Sequence, residues 1–277
     1  VSPEAYLGLM ALGLLAGAFG TLIGAGGGFV LMPLLMVLYP SDAAQTLTCI
    51  SLTTVFFNAL SGVEAYALAK RIDYRSAALF GLCALPATIL GALGTAGVDR
   101  RDFDLVFSVF LLAGAAFLLL KKPPAEHAHR PVVPGQTART LTDAHGACYS
   151  WSFNPWLGGG LSLLVGYLSS FLGIGGGIIH VPLMVYLLRF PVHVATATSH
   201  CVLAAMSLCG VTTLVLTGAF HHGAHRTAAL AVGVILGAQI GARLSERLGG
   251  SAIVRLLAWG LAVLGVRVLL LALGLWG

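Results

Sequence analysis

Gly24-Ala25-Gly26-Gly27-Gly28 and Gly173-Ile174-Gly175-Gly176-Gly177 are two copies of one glycine-rich stretch, 149 residues apart, and each is followed five residues later by a proline, Pro33 or Pro182. Both lie inside long apolar runs. Gly17 and Gly166 keep the same spacing. Ser51/Ser199, Gly62/Gly210 and Val63/Val211 stand 148 apart, and Gly91-Ala92/Gly241-Ala242 stand 150 apart. The chain thus reads as an internal duplication. A plain membrane helix does not carry so many glycines together, and matched breaks in corresponding halves are the sequence pointer to a secondary transporter's binding site.

Composition supports that setting. Of 277 residues, 58% are hydrophobic and only 9% charged, where a soluble domain carries roughly 25% charged residues. Such a chain cannot cover itself with polar groups, so its surface faces the lipid bilayer. The net charge of +5 would suggest nucleic acid for a soluble protein; here it predicts basic loops that set orientation, and no nucleic acid. The five cysteines form no CxxC pair, and four lie in apolar segments as small hydrophobes. Val1–Glu4 lacks a basic n-region and runs into an apolar segment, which predicts a retained first helix rather than a cleaved leader.

Outward from the breaks, residues 1–120 read as a first transmembrane repeat, 121–156 as a mobile polar linker, and 157–277 as a second repeat. The expected fold is an all-α polytopic membrane protein of two inverted repeats, each with four spanning helices plus a glycine-broken, re-entrant segment. Inversion rests on charge. With breaks that cross the membrane, the basic residues divide eight to six between the two sides. With breaks that turn back, they divide eleven to three, leaving Arg100, Arg101 and Arg226 alone on one side. The second arrangement obeys the positive-inside rule far better and places the linker in the cytoplasm.

Irregular backbone survives in hydrocarbon only where it lines a cavity or is buried in protein. Glycine allows several N–H groups to converge, and helices starting at such points attract anions. The N–H groups of Gly26, Gly27, Gly28, Gly175, Gly176 and Gly177 are therefore the predicted anion cradle. Close helix packing is the alternative use of glycine; two symmetric copies favour the site. Thr48 and Ser51 in the first half and Thr198, Ser199 and His200 in the second are the predicted side-chain donors. His180 and His200 are histidines inside spans and candidates for proton coupling. Pro33 and Pro182 are expected to kink the short helices after the breaks. Gln239, Glu64 and Arg267 also fall inside spans, with no role assigned to them.

His221-His222-x-x-His225 has metal-like spacing but no carboxylate or cysteine partner, so no metal is predicted there, nor at His127, His129 or His145. No cofactor or nucleotide motif is present, and no catalytic residue is assigned. Ser199 beside His200 is the one nucleophile–base candidate, but neighbours on a helix point about 100° apart.

Laid out this way, the chain resembles the sulfite exporter TauE/SafE family of bacterial permeases. The resemblance is carried by Gly20-Thr21-Leu22-Ile23-Gly24-Ala25-Gly26-Gly27-Gly28 with Pro33, by Phe171-Leu172-Gly173-Ile174-Gly175-Gly176-Gly177 with Pro182, and by Pro191-Val192-His193-Val194-Ala195-Thr196-Ala197-Thr198-Ser199. The first-half counterpart of the last stretch, Ala44 to Ser51, departs from the pattern. The resemblance implies a multi-pass protein of the bacterial inner membrane that moves a small sulfur-containing anion: sulfite, thiosulfate or an organosulfonate. Drive would come from protons or the membrane potential. A passive channel for an anion or small neutral solute is the alternative, and a homodimer is the candidate assembly.

Overall fold

In the computed structural model, which describes residues 3–121, 136–218 and 223–275, helices dominate. The first half comprises α1 (Pro3–Leu22), α2 (Gly28–Leu38), α3 (Ala44–Leu68), α4 (Tyr74–Gly94) and α5 (Arg100–Leu120). A hairpin follows, β1 (Thr137–Thr142) and β2 (Cys148–Phe153). The second half comprises α6 (Pro155–Phe171), α7 (Gly177–Pro182), a π turn (Leu183–Leu187), α8 (Val192–Leu216), α9 (Ala224–Arg247) and α10 (Gly250–Ala272).

Among the described residues, α3, α4, α5, α8, α9 and α10 are long and apolar enough to cross a membrane. Three of these lie in each half; α1 and α6 end at the glycine breaks, where their short successors begin. Leu82, Val109, Leu120, Leu216, Trp259 and Val263 remain exposed on these helices, as a lipid-facing belt requires. The protein is multi-pass.

Small residues set the helix contacts. A Cβ on Gly13 or Gly17 of α1 would collide with the backbone of Leu230 or Val234 in α9. One on Gly233, Gly237 or Gly241 of α9 would collide with Met10, Leu14 or Ala18. These pairs advance together along both chains, so α1 and α9 run parallel at near-backbone contact, the way helices associate where no hydrophobic drive separates protein from lipid. The pair α4 and α6 repeats this, with Gly158 on Phe80, Gly166 on Ala84 and Gly91 on Tyr167. In contrast, Gly114 meets Leu261 and Gly265 meets Leu112, so α5 and α10 are antiparallel. So are α3 and α8, where Gly62 meets His200 and Leu52 meets Gly210.

The charged groups gather at two opposite ends of this bundle. At one, Arg226 Nη1 donates to Asp42 Oδ2 at 2.7 Å, with the guanidinium 3.8 Å above the Tyr39 ring. Arg100 joins them, bonding Asp104 and the carbonyls of Asp42 and Met36. At the other end sits the hairpin. The sequence predicts a mobile linker over 121–156; instead Thr137–Thr142 pairs antiparallel with Cys148–Phe153, from Thr137↔Phe153 to Thr142↔Cys148. Asp143 closes the turn, its Oδ1 accepting from the N–H groups of His145 and Ala147. Its Oδ2 receives Arg71 Nε and Nη2, both at 3.2 Å. Burial alone would raise the Asp143 carboxyl, but the backbone donors of Ala147 and His145, together with Arg71, outweigh it and hold the pKa below the usual carboxylate range. The stabilisation from this ionised pair is complete above the unfolded value near pH 4 and is lost progressively as the pH falls from there through the lowered folded value.

Replacing Gly237 by Ala tests the helix contact. A Cβ forced into the Leu14 carbonyl is expected to cost about 1–3 kcal/mol and to lower the melting temperature in detergent. Gly8→Ala, with nothing within 4 Å of the added methyl, is expected to leave it unchanged or raise it. Equal melting temperatures for the two variants would refute the close approach.

Candidate functional site

Both breaks adopt the same backbone course. Gly24, Gly26 and Gly27 have φ of 81°, 74° and 77°; Gly173, Gly175 and Gly176 have 68°, 80° and 91°. These are left-handed conformations that a Cβ disfavours by about 1–2 kcal/mol per residue. Gly27 and Gly176 are the N-caps of α2 and α7. Pro33 lies inside an uninterrupted α2, whereas Pro182 ends α7 and the chain continues as the π turn. The expected disturbance thus arises at the second proline only, where a missing N–H shifts the ladder to wider spacing.

The two breaks meet at the centre of the protein. A Cβ on Gly28 would sit 2.6 Å from the Ile174 carbonyl oxygen, and one on Gly177 would collide with the Gly24 carbonyl oxygen. Each break is tied by a serine from a neighbouring long helix. Ser199 Oγ donates to the Gly24 oxygen at 2.8 Å, and Ser51 Oγ donates to the Gly173 oxygen at 2.6 Å. These two predicted binding residues therefore orient the breaks, with their hydroxyl protons already in use.

The glycine N–H groups divide. Gly26 N–H is spent on the Gly20 carbonyl at 3.1 Å. Among the described residues Gly27, Gly28, Gly175, Gly176 and Gly177 donate to no backbone carbonyl outside a helix; Gly27 and Gly176 as caps and Gly28 and Gly177 as first residues have no intrahelical acceptor, and Gly175 lies just before the Gly176 cap. Among the described residues, four polar side-chain atoms of the neighbouring helices are buried without a hydrogen bond: Thr48 Oγ1, Asn58 Nδ2, Ser170 Oγ, which faces Gly210, and His200 Nε2, which faces Gly62. Thr48 stands against Gly173. Thr198 Oγ1 accepts from the Asp73 N–H at 3.1 Å, so the donor end of that hydroxyl remains available.

The two histidines are kept apart. His200 Nδ1 lies 3.1 Å from the Thr196 carbonyl. A carbonyl only accepts, so Nδ1 carries the proton and Nε2 presents a bare lone pair. Gly62 makes room for this ring, and Tyr66 stands edge-on to it with centroids 5.3 Å apart. His180 lies on the opposite flank, its Nε2 3.1 Å from Ser162 Oγ and its ring stacked on Phe80. Glu64 and Arg267 are exposed on the bundle surface, and Gln239 Nε2 is bonded to Ser61. None of these three reaches the breaks.

Two residues that the sequence reading passes over stand between the breaks. A Cβ on Gly26 or on Gly175 would contact both Val55 and Leu203. Their side chains are ordinary for membrane helices and carry no chemical signal. Their spacing of 148, shared with Ser51/Ser199, is the signal that marks them as a pair. His221, His222, His127 and His129 lie outside the described residues. His145 is 3.9 Å from Glu246, His225 is exposed, and among the described residues no three metal-ligating side chains cluster.

Gly97 provides a matched control for the breaks, with φ of 83° and nothing within 4 Å of an added Cβ. Gly97→Ala is expected to cost only the backbone term of about 1–2 kcal/mol. Gly27→Ala and Gly176→Ala add collisions with the Ala16 carbonyl at 2.7 Å and Ser169 Oγ at 2.8 Å, and are expected to cost about 1–3 kcal/mol more. Thermal unfolding of the three variants gives the comparison; equal losses would refute the tight packing of the breaks.

Comparison with known proteins follows the same pattern. The family model for the sulfite exporter TauE/SafE matches residues 9–268. A protein of Bacillus subtilis (strain 168) described as probable membrane transporter protein YunE is 31% identical over 269 residues, covering 94% of this chain and 96% of the relative. Probable membrane transporter protein MJ0441 of Methanocaldococcus jannaschii is 26% identical over 208 residues, covering 73% and 70%. A probable membrane transporter protein of Xylella fastidiosa (strain Temecula1) is 29% identical over 262 residues, covering 92% and 90%. No solved structure matches. With a family match from the first helix to the last, and a relative aligned along nearly its full length, the chain belongs to the sulfite exporter TauE/SafE family.

Proposed function

We propose that this protein is a secondary transporter that moves a small sulfur-containing anion, such as sulfite, thiosulfate or an organosulfonate, across the bacterial inner membrane. The observation that carries the reading is the meeting of two helix starts at the buried centre, where glycine N–H groups donate to no backbone carbonyl and the unbonded Thr48 hydroxyl stands beside Gly173. Free N–H groups at helix starts and the helix dipole favour an anion. Thr48 and Thr198 add hydroxyls without adding a counter-charge, so the anion is held and also released. The family's description as sulfite exporters supports a sulfur anion as the cargo.

Inverted repeats are part of this proposal. Parallel α1/α9 and α4/α6 with antiparallel α3/α8 and α5/α10 are the relations expected when two copies of one unit run in opposite directions. The same inversion puts Arg100 and Arg226 together at one face and Arg71, Arg139 and Glu246 at the other, as the contacts through Asp42, Asp73 and Asp143 do. The positive-inside rule then makes the hairpin face cytoplasmic. Between the breaks, Val55 and Leu203 occupy the path. Motion of one half against the other would part them and expose the site to alternate sides. His200, with its unpartnered Nε2, is the better-placed proton carrier; His180 is already engaged by Ser162.

Flux of radiolabelled sulfite and sulfoacetate in proteoliposomes tests the reading. Saturable flux of at least one anion that follows an imposed pH gradient is expected, with His200→Gln losing the response to the gradient. Flux that rises linearly with concentration would instead establish a channel. Sidedness has its own test in the exposed Cys148 of β2. An impermeant thiol reagent is expected to label it in inside-out vesicles and not in intact cells, with Cys148→Ser as control; the reverse pattern would invert the assigned orientation.

A further inference from the structure

The hairpin does more than link the halves. Its turn is bound to the α3–α4 joint, where the Ala144 N–H donates to the Ala69 carbonyl at 3.0 Å and Arg71 holds Asp143. Arg139 Nε stands 3.7 Å from Asp73 Oδ2. Its other strand presses on the joint leading into α8. The rings of Trp151 and Phe153 lie 5.0 and 5.1 Å from that of Phe190, and Phe153 also meets Phe80 of α4. Directly beneath these contacts are residues of the site: the Asp73 N–H bonds Thr198, Phe80 stacks on His180, and Phe190 stands just before Pro191, the N-cap of the helix that carries Thr198 and His200.

This cover is firmly seated and yet incompletely bonded. Among the described residues Trp151 Nε1, Arg139 Nε and Arg71 Nη1 are buried without a hydrogen bond, a state that penalises the closed arrangement. A cleft of about 510 Å³, lined by residues that include Tyr74, Arg75, Thr140 and Trp151, remains between hairpin and joint. The joint under the aromatic contacts also has unusual backbone. Arg189 has φ of 60°, sparsely populated for a residue with a side chain, and the preceding segment is a π turn. Strain of that kind persists where surrounding contacts hold it, and is released when they part. The opposite end is closed differently, by side chains of the bundle itself through Arg226 and Asp42.

We propose that the hairpin Thr137–Phe153 is a lid on the substrate path, clamping the Phe190 joint over Thr198 and lifting away from Phe190 and Asp73 when the site opens to that side. The proposal rests on the transporter reading above, and its test is arranged so that the two can fail separately. In the full-length chain with its native cysteines replaced, Ala69→Cys and Ala144→Cys are joined by oxidation or by a short thiol-reactive linker. Sulfite flux is expected to fall at least tenfold when the bridge forms and to return on reduction or without the linker; unchanged flux in the bridged protein would overturn the lid. Bridged and open states are one folded protein, so misfolding cannot mimic the result. A second arm needs no transport. Thr198→Cys is presented with an impermeant maleimide from the hairpin side, with Asp143 intact or as Asp143→Asn. Labelling at least tenfold faster in the Asp143→Asn protein supports the lid, and equal rates overturn it. Should neither redox state carry sulfite, the transport assignment fails while the labelling rates still decide the lid.

Discussion

Interrupting a helix inside hydrocarbon leaves backbone polar groups that water cannot reach, and every such group needs a partner supplied by the protein. That requirement organises this molecule. The carbonyl of Gly24 is capped by Ser199 from the second half, and that of Gly173 by Ser51 from the first. The break backbones themselves lie against each other, Gly28 on Ile174 and Gly177 on Gly24. Each half therefore completes what the other leaves open. Neither break would be tolerable alone in a bilayer, which gives a physical reason for the duplication to be retained as a pair.

The close helix pairs serve the same requirement. α1 and α6 both stop at the breaks rather than running on into the helices that follow. Each is held along its length by a parallel neighbour at backbone contact, α1 by the glycine row of α9 and α6 by α4. Where lipid is as apolar as the protein core, such packing substitutes for the hydrophobic drive of a soluble fold. With the frame fixed from outside, the centre can retain polar atoms that are not satisfied. Thr48 Oγ1, Asn58 Nδ2, Ser170 Oγ and His200 Nε2 are buried there without a hydrogen bond, and an unsatisfied buried polar group costs about 1–3 kcal/mol.

Much of this was legible before any coordinates. The glycine pattern, its recurrence at 149 and the prolines after it located both breaks, since only glycine suits repeated left-handed backbone in an apolar run. Arg100 and Arg226, which the charge count sets on one side, meet at Asp42. The hairpin was missed because its composition is that of a linker. Yet Thr137 to Phe153 carries two alternating stretches around Asp143-Ala144-His145-Gly146, a turn signal that outranks overall polarity. The uses of individual donors were also out of reach. Ser51 and Ser199 look like free hydroxyls along the chain, and only the folded contacts show their protons committed to carbonyls.

What the sequence determined by itself was the environment and the plan: a lipid-facing chain with two matched glycine stretches 149 residues apart, two helix interruptions that must be buried. Those follow from composition and local backbone chemistry, which depend on near neighbours alone. Only the tertiary structure decided that the breaks cross one another, that Val55 and Leu203 stand between them, that His200 rather than His180 keeps an open nitrogen, and that a strand pair covers one end. Each of these depends on residues from opposite halves arriving at one point, and no periodicity within a helix specifies which atom of a distant neighbour will meet it there.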